Sequence, residues 1–526
     1  MADTPYRFHA ETCGHLDRVL AASSAHQTAR GALLITHDPE AAISACREVC
    51  GTRQIPLHVL SMAVRRLARP GASSFDVVGG PAADPVDVLR AGSDVSGPAL
   101  VVFQDMLHFM GDAGGDARTR SQLLQMLSTE NRKPHVYAFC EPPDADAHVP
   151  SFARALLTRI RMPLPGGREL LGIAREELAI AGAVAKRTLG PDTVAAWARQ
   201  LAAHLPGLTS TAARFAIQDA LSDDFKVESA ADLLAARKAE HLHSQLAMDI
   251  LTPTPQPPVG MENLYRWINV RRSRICVPGR DRVKGVLLLG PPGTGKTRVG
   301  AYLGSMLGVS AIWFRFGALL GMYVGQSEAN AERAFAVLDA LGTSGGDTGH
   351  ERGVVVLLDE LEKTIGHGDN DGGVSRRVVS RLLTWMSEST APNMILATAN
   401  DLESMGDLGE IITRRGRLNA VFFVDVPHTR ARRELFDRLL KERQAPLSDD
   451  DLDLVARESS RFSGADIEGV VADAADEATA QQRGSGLADL REQIDRNRVQ
   501  VQARYERFNR LREWARLHAE PAGETD

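Results

Sequence analysis

The sequence predicts an α/β protein made of two parallel sheets, each followed by a helical segment. Three observations carry that expectation. Short apolar runs alternate with helical stretches in both halves, as parallel βαβ units require. Each set of runs is followed by a stretch with helical spacing and no convincing strand. Between the two lies TPTPQPPVG, residues 252–260, whose prolines remove donors and hold the backbone extended as a linker.

In chain order, GALLITHDPEAAISACREV (31–49) reads as a buried strand running into a helix. PALVVFQDMLHFM (98–110) and HVYAFC (135–140) read as two further strands, with a helical stretch at 118–130. This places an α/β domain over 1–165. The prolines and glycines of MPLPGGRELL mark its end, and a helical lid-like domain follows over 166–251. After the linker, VKGVLLLG, AIWFRFG, GVVVLLDE, MILATAN and AVFFVDVP supply five strands of a doubly wound sheet over 261–427. A helical lid spans 428–484, and 485–526 reads as one long helix or two shorter ones with a tail. Tyr505, Phe508, Leu511 and Trp514 share a face there, directed at the core or a neighbouring subunit.

At 526 residues the chain exceeds a single core, and 44% hydrophobic with 24% charged residues is the balance of folded protein. A net charge of -6 disfavours nucleic acid, and the run Arg271, Arg272, Arg274 reads as a solvated helix end. Five cysteines argue against a disulfide framework, and Cys46 with Cys50 reads as a pair of buried thiols rather than zinc ligands. The N-terminus lacks a signal-peptide core and no run is long enough to span a bilayer, so a cytoplasmic protein is expected.

The chemistry concentrates in the second half. GPPGTGKT comprises Gly290, Pro291, Pro292, Gly293, Thr294, Gly295, Lys296 and Thr297, directly after a strand and before a helix. Its glycines turn backbone N–H groups around phosphate oxygens, Lys296 reaches the β and γ phosphates, and the Thr297 hydroxyl ligates magnesium. The strand GVVVLLDE ends in two acids, placing Asp359 near the metal and Glu360 where it polarises an attacking water. ATAN ends another strand at Asn400, whose amide holds that water from the opposite side.

GPPGTGKT, LLDE, ATAN, RRGRLN and RFSGADIEGVVADAA together resemble the classical clade of AAA+ ATPases, P-loop NTPases, over about residues 255–480. The resemblance implies an AAA module that binds ATP and Mg2+ and works as a ring-shaped hexamer on a protein substrate. It implies that Arg414 and Arg417 reach a neighbouring subunit's nucleotide as arginine fingers, where a guanidinium delivered in trans neutralises charge on the transferring phosphoryl group. It also implies nucleotide contacts from Arg298, from Gly464 and Ala465 of the lid, and from Gly260. Met322, Tyr323 and Val324 of GMYVGQSEAN (321–330) resemble a pore loop gripping extended polypeptide, and GHGDNDGGVS (366–375) fits a second loop. Where relatives often carry Asp-Gly-Phe, this chain has LLTWMSESTAP, with Trp385, Met386 and Ser387.

That Trp-Met feature, DELEKTIG and LREWA (511–515) resemble the Ycf-type AAA proteins of cyanobacteria and chloroplasts, whose first half is like a degenerate ATPase domain. Here ALLITHDPEAA stands in the place of a P-loop without Gly-Lys-Thr, and Asp105 is followed by Met106 where a catalytic acid belongs. No nucleophile or metal constellation joins Asp105 and His108, so neither is assigned chemistry. Two functions follow as expectations: a remodelling motor, or an ATP-dependent assembly switch with slow turnover.

Overall fold

The computed structural model describes residues 9–72, 74–112, 115–128, 134–143, 148–187, 189–221, 227–279, 281–322, 327–343, 353–365, 374–400 and 417–524. Two compact units emerge, Met1–Lys238 with Glu332–Ala340, and Ala239–Ala331 with Leu341–Asp526. The proline-rich segment 252–260 lies within the second and holds neither helix nor strand.

The first unit contains a seven-stranded sheet of β1 (Arg30–Ile35), β2 (Leu57–Leu60), β3 (Arg65–Ala68), β4 (Asp76–Gly79), β5 (Ala99–Gln104), β6 (His135–Glu141) and β7 (Leu157–Arg161). Its order is β4-β3-β2-β5-β6-β1-β7, parallel from β2 to β7 with β3 and β4 antiparallel at one edge. Alternate residues feed two cores. Ala32, Leu34, Val102 and Ala138 pack on one face, Leu33, Val101, Phe103 and Phe139 on the other. Cys46 and Cys50 are buried on the first face, and burial pushes the Cys50 thiol up to about 12. Four helices, Gly167–Val184, Pro191–Ala202, Ser210–Ala220 and Val227–Leu246, form the lid-like core around Leu170, Leu201, Ile217 and Leu234.

The second unit's sheet comprises β8 (Met248–Ile250), β9 (Gly285–Leu289), β10 (Ser310–Phe314), β11 (Val354–Leu358), β12 (Met394–Ala399), β13 (Ala420–Phe423) and β14 (Glu520–Pro521). Its order is β14-β13-β9-β12-β11-β10-β8, parallel except for β8. Val286, Leu288, Val355, Leu357 and Leu396 meet Leu264, Trp267 and Ile268 of the helix Glu262–Val270 on one face. The lid helices Thr429–Glu442, Asp449–Glu458 and Gly464–Ala480 close around Phe436, Val455 and Ile467, and the helix Leu487–Arg507 adds Leu490 and Ile494.

All five strands expected in this unit are present, but β8 corrects the reading of the lid-like stretch 166–251 as strandless. The tail also differs from expectation. It breaks into Leu487–Arg507 and Asn509–His518, and its buried positions in the second helix are Arg512 and Ala515 rather than Leu511 and Trp514. Arg512 lies 3.5 Å from the Tyr505 ring and bonds both carboxylate oxygens of Asp425 at 2.8 Å. The chain then returns to the sheet, with Ala522 N–H donating to the Phe423 carbonyl at 2.9 Å.

Candidate active site

The turn after β9 delivers Lys296 to the first position of the helix Lys296–Leu307. Gly290 has φ 159°, and a Cβ there would fall onto the Val424 carbonyl oxygen. Gly293, at φ 79°, sits where a Cβ would come within 3.0 Å of the Ala465 side chain. The lid docks on this turn, since Ala465 N–H donates to the Gly293 carbonyl at 3.0 Å and Arg298 meets Glu468 at 2.5 Å. A capping box between Ser463 and Asp466 fixes that lid helix start.

Lys296 is buried, and its ammonium donates to the carbonyls of Gly290 and Pro291 at 2.7 Å and to Asn400 Oδ1 at 2.9 Å. Thr294 Oγ1 closes the turn onto the Pro291 carbonyl at 3.0 Å. Thr297 Oγ1 donates to the Asp359 carboxylate at 3.1 and 3.2 Å. The strand order explains the convergence: β12 lies between β9 and β11, so Asn400, Gly290 and Asp359 leave adjacent strand ends.

Thr398, buried near the end of β12, was not singled out from the sequence. Its hydroxyl donates to the Asp359 carboxylate and accepts from Glu360 N–H at 2.9 Å, fixing both acids while Glu360 holds φ 51°. Asn400 Nδ2 lies 3.5 Å from Glu360 Oε1 and 2.9 Å from Glu362 Oε1, and Lys363 Nζ donates to Glu360 Oε2 at 2.7 Å. Glu362 and Lys363 entered the sequence reading only as part of DELEKTIG, with no role assigned to either.

A cavity of about 790 Å³ opens over this cluster. Pro292 to Arg298, Asp359, Glu360, Asn400, Gly464 and Ala465 line it, as do Pro258 and Val259. Gly260 lies one residue beyond that wall, with φ 75°. Arg417 is not part of the lining; its Nε donates to Ser387 Oγ at 3.4 Å, beside the buried Trp385 and Met386. Met322 ends the helix Phe316–Met322, while Tyr323, Val324, Arg414 and residues 366–373 lie outside the described residues.

The donor set fits magnesium, because one hydroxyl and one carboxylate 3.1 Å apart are hard oxygen ligands that leave room for phosphate oxygens and water. The glycine turn at a helix N-terminus fits a nucleotide's phosphates. Burial pushes the Lys296 ammonium down to about 8, opposed by the negative charges of Glu362, Asp359 and Glu360. Below pH 8 the free protein carries the charge that phosphates need. Above it, binding must take up a proton, so nucleotide affinity should fall about tenfold per pH unit over the next unit or so. Calorimetry at pH 9 in buffers of different ionisation enthalpy should show proton uptake; heats independent of buffer would contradict this.

The equivalent turn of the first unit is built differently. Its parallel strands run β7-β1-β6-β5-β2, the same order as β13-β9-β12-β11-β10, and the strand register puts Asp105, at φ 53°, where Glu360 stands, which corrects the sequence reading that put Met106 there. After β1, however, Asp38 caps the helix Pro39–Arg53 through Ala41 N–H at 3.1 Å. Its carboxylate also accepts from Thr211 N–H and Oγ1 at 2.8 Å, at the start of the lid-like helix Ser210–Ala220. Gln104 replaces the metal-side acid, and Glu141 is consumed by the backbone N–H groups of Met106 and Leu107.

Residues 286–426, which run from β9 past β13 of the second unit, match the family described as ATPase family associated with various cellular activities (AAA). Over a longer stretch, the chain is 25% identical across 429 residues to AAA domain-containing protein ycf46 of Guillardia theta, covering 80% of this chain and 79% of that one. The ycf46 protein of Trieres chinensis is 29% identical over 238 residues, 44% of this chain and 45% of its own. The vesicle-fusing ATPase of Dictyostelium discoideum is 34% identical over 240 residues, 42% of this chain and 32% of its own. The chain thus aligns with less than half the length of those last two relatives. Among solved structures, the FIGL-1 AAA domain in complex with ADP aligns with a TM-score of 0.41 and 18% identity, over 53% of this chain and 94% of that chain. Among the described residues, no helix is long and apolar enough to cross a membrane.

Proposed function

We propose that this chain is a magnesium-dependent ATPase that assembles as a homo-oligomeric ring, a hexamer by analogy, and couples hydrolysis to remodelling a protein substrate in the cytoplasm. The observation that carries the reading is one connected constellation in the second unit: Lys296 on Asn400, Thr297 on Asp359, and Asn400 facing Glu360. Magnesium, held through Thr297 and Asp359, supplies charge neutralisation on the phosphates. Lys296 grips the terminal phosphates. Glu360 takes the proton of the attacking water, and Asn400 orients that water.

The first unit serves as a fold-level copy without nucleotide, since Asp38 already occupies the two helix N-termini that a phosphate would need. Arg414 and Arg417 act on the neighbour's nucleotide, and Tyr323 acts on the substrate. The placement of Arg417 outside its own chain's cavity supports action in trans. If so, turnover per chain should rise steeply with protein concentration, and Arg414→Ala should reduce it by about a thousandfold while leaving ATP bound. Turnover per chain that is independent of concentration would remove the shared-site reading.

One observation favours the second reading, an assembly switch. Lys363 holds Glu360 at 2.7 Å, a contact that restrains the proposed base. A switch would bind ATP and assemble with negligible turnover at every concentration.

A further inference from the structure

Asn400 has a geometric difficulty that its neighbours resolve. A side-chain amide is nearly symmetric in shape, so its two orientations are separated only by what its oxygen and nitrogen touch. For holding a water beside Glu360 the orientation matters, because only the NH2 group donates. Here the oxygen faces Lys296 Nζ at 2.9 Å, a group with donors alone, and the nitrogen faces Glu362 Oε1 at 2.9 Å, a carboxylate with acceptors alone. Flipping the amide would set NH2 against the ammonium and oxygen against the carboxylate, losing both bonds at once.

Glu362 is an expensive way to hold an amide. It is 9% exposed, and its second oxygen, Oε2, is buried with no hydrogen-bond partner among the described residues. A buried carboxylate oxygen left unpaired costs desolvation free energy, and replacing such a group by a neutral one of similar shape is often neutral or stabilising. Besides the Asn400 amide, the charge of Glu362 faces the Lys296 ammonium, whose protonated form it favours together with Asp359 and Glu360. The other two acids do not depend on it, since Asp359 is held by Thr297 and Thr398, and Glu360 by Thr398 and Lys363.

We propose that Glu362 is a positioning residue for hydrolysis: with Lys296 it locks the Asn400 amide with its NH2 directed toward Glu360. It does not line the cavity, and acts through Asn400. The inference rests on the ATPase reading above and adds to it a residue that the phosphate turn and acid pair do not include. Glutamine keeps an acceptor but also brings a donor and removes the charge, so it no longer excludes the flipped amide.

The experiment compares Glu362→Gln, Asn400→Ala and the double variant in the full chain, measuring turnover, ATP dissociation constant and the melting temperature of nucleotide-free protein. Glu362→Gln should slow turnover by about tenfold to a hundredfold, as loss of an orienting partner commonly does. At pH 7 its dissociation constant should rise by less than about tenfold, since Asp359 and Glu360 still face Lys296, and its melting temperature should change little. In the Asn400→Ala background it should cause no further loss, because the group it positions is gone. The inference is overturned if Glu362→Gln turns over like the parent, if its loss adds to that of Asn400→Ala, or if it melts earlier, which marks a structural role. A parent chain that binds ATP without turning it over sinks the ATPase reading and this inference together; parent-like turnover in Glu362→Gln sinks only this one.

Discussion

Lys296→Ala is expected to reduce bound ATP from one molecule per chain to none at micromolar nucleotide. The ammonium is the buried cation of the cavity, fixed by three oxygens before any phosphate arrives, so its charge is pre-placed. Removing one partner of a buried charge pair costs about 3 kcal/mol or more, roughly a hundredfold in dissociation constant. The substitution also strands Asn400 Oδ1 and the carbonyls of Gly290 and Pro291. Loss of all binding, rather than half, follows from the first unit: its turn has no lysine, and Asp38 fills the space between the helix Pro39–Arg53 and Thr211. Equilibrium dialysis with labelled ATP decides it. A residual site of unchanged affinity in Lys296→Ala would assign nucleotide binding to the first unit.

Glu360→Gln should separate binding from turnover. The side chain is isosteric, its backbone is held by Thr398, and its left-handed φ of 51° is set by the chain rather than by the carboxylate. ATP should bind with nearly unchanged affinity. Hydrolysis should fall by about a hundredfold to ten-thousandfold, the span of a lost general base. Phosphate release measured at saturating ATP, with bound nucleotide counted on the same sample, reads both quantities. Retained turnover would move the base to another group.

Much of the second unit was legible because its signals are contiguous. VLLLG and VVVLL are apolar throughout, and MILATA is apolar but for Thr398, as strands buried on both faces must be, and GPPGTGKT carries its geometry in eight successive residues. The first unit's β2, β3, β4 and β7 were missed. They are four or five residues long, and β3 places Arg65 and Arg66 on an edge hairpin where only part of each side chain is covered. β8 and β14, of three and two residues, are held by pairing with β10 and β13 and have no periodicity of their own. The tail failed for a related reason: Arg512 is buried because Asp425 and Tyr505 receive it, and no spacing of apolar residues announces an ion pair.

Within the site, the residues found were those whose type and neighbours specify their chemistry. Thr398 and Glu362 became visible only when strand register set one hydroxyl between two acids and one carboxylate against an amide. Likewise the likeness of the two units is a likeness of strand order, with Asp105 and Glu360 in matching left-handed backbone positions although their surrounding residues differ.

The most direct test of the central claim is phosphate release by the parent chain beside Glu360→Gln, at protein concentrations spanning assembly and with bound ATP counted in both. The account predicts one ATP per chain in each, with turnover in the parent and a loss of at least about a hundredfold in the variant. Equal phosphate release from the two, or none from a parent chain saturated with ATP, would contradict it.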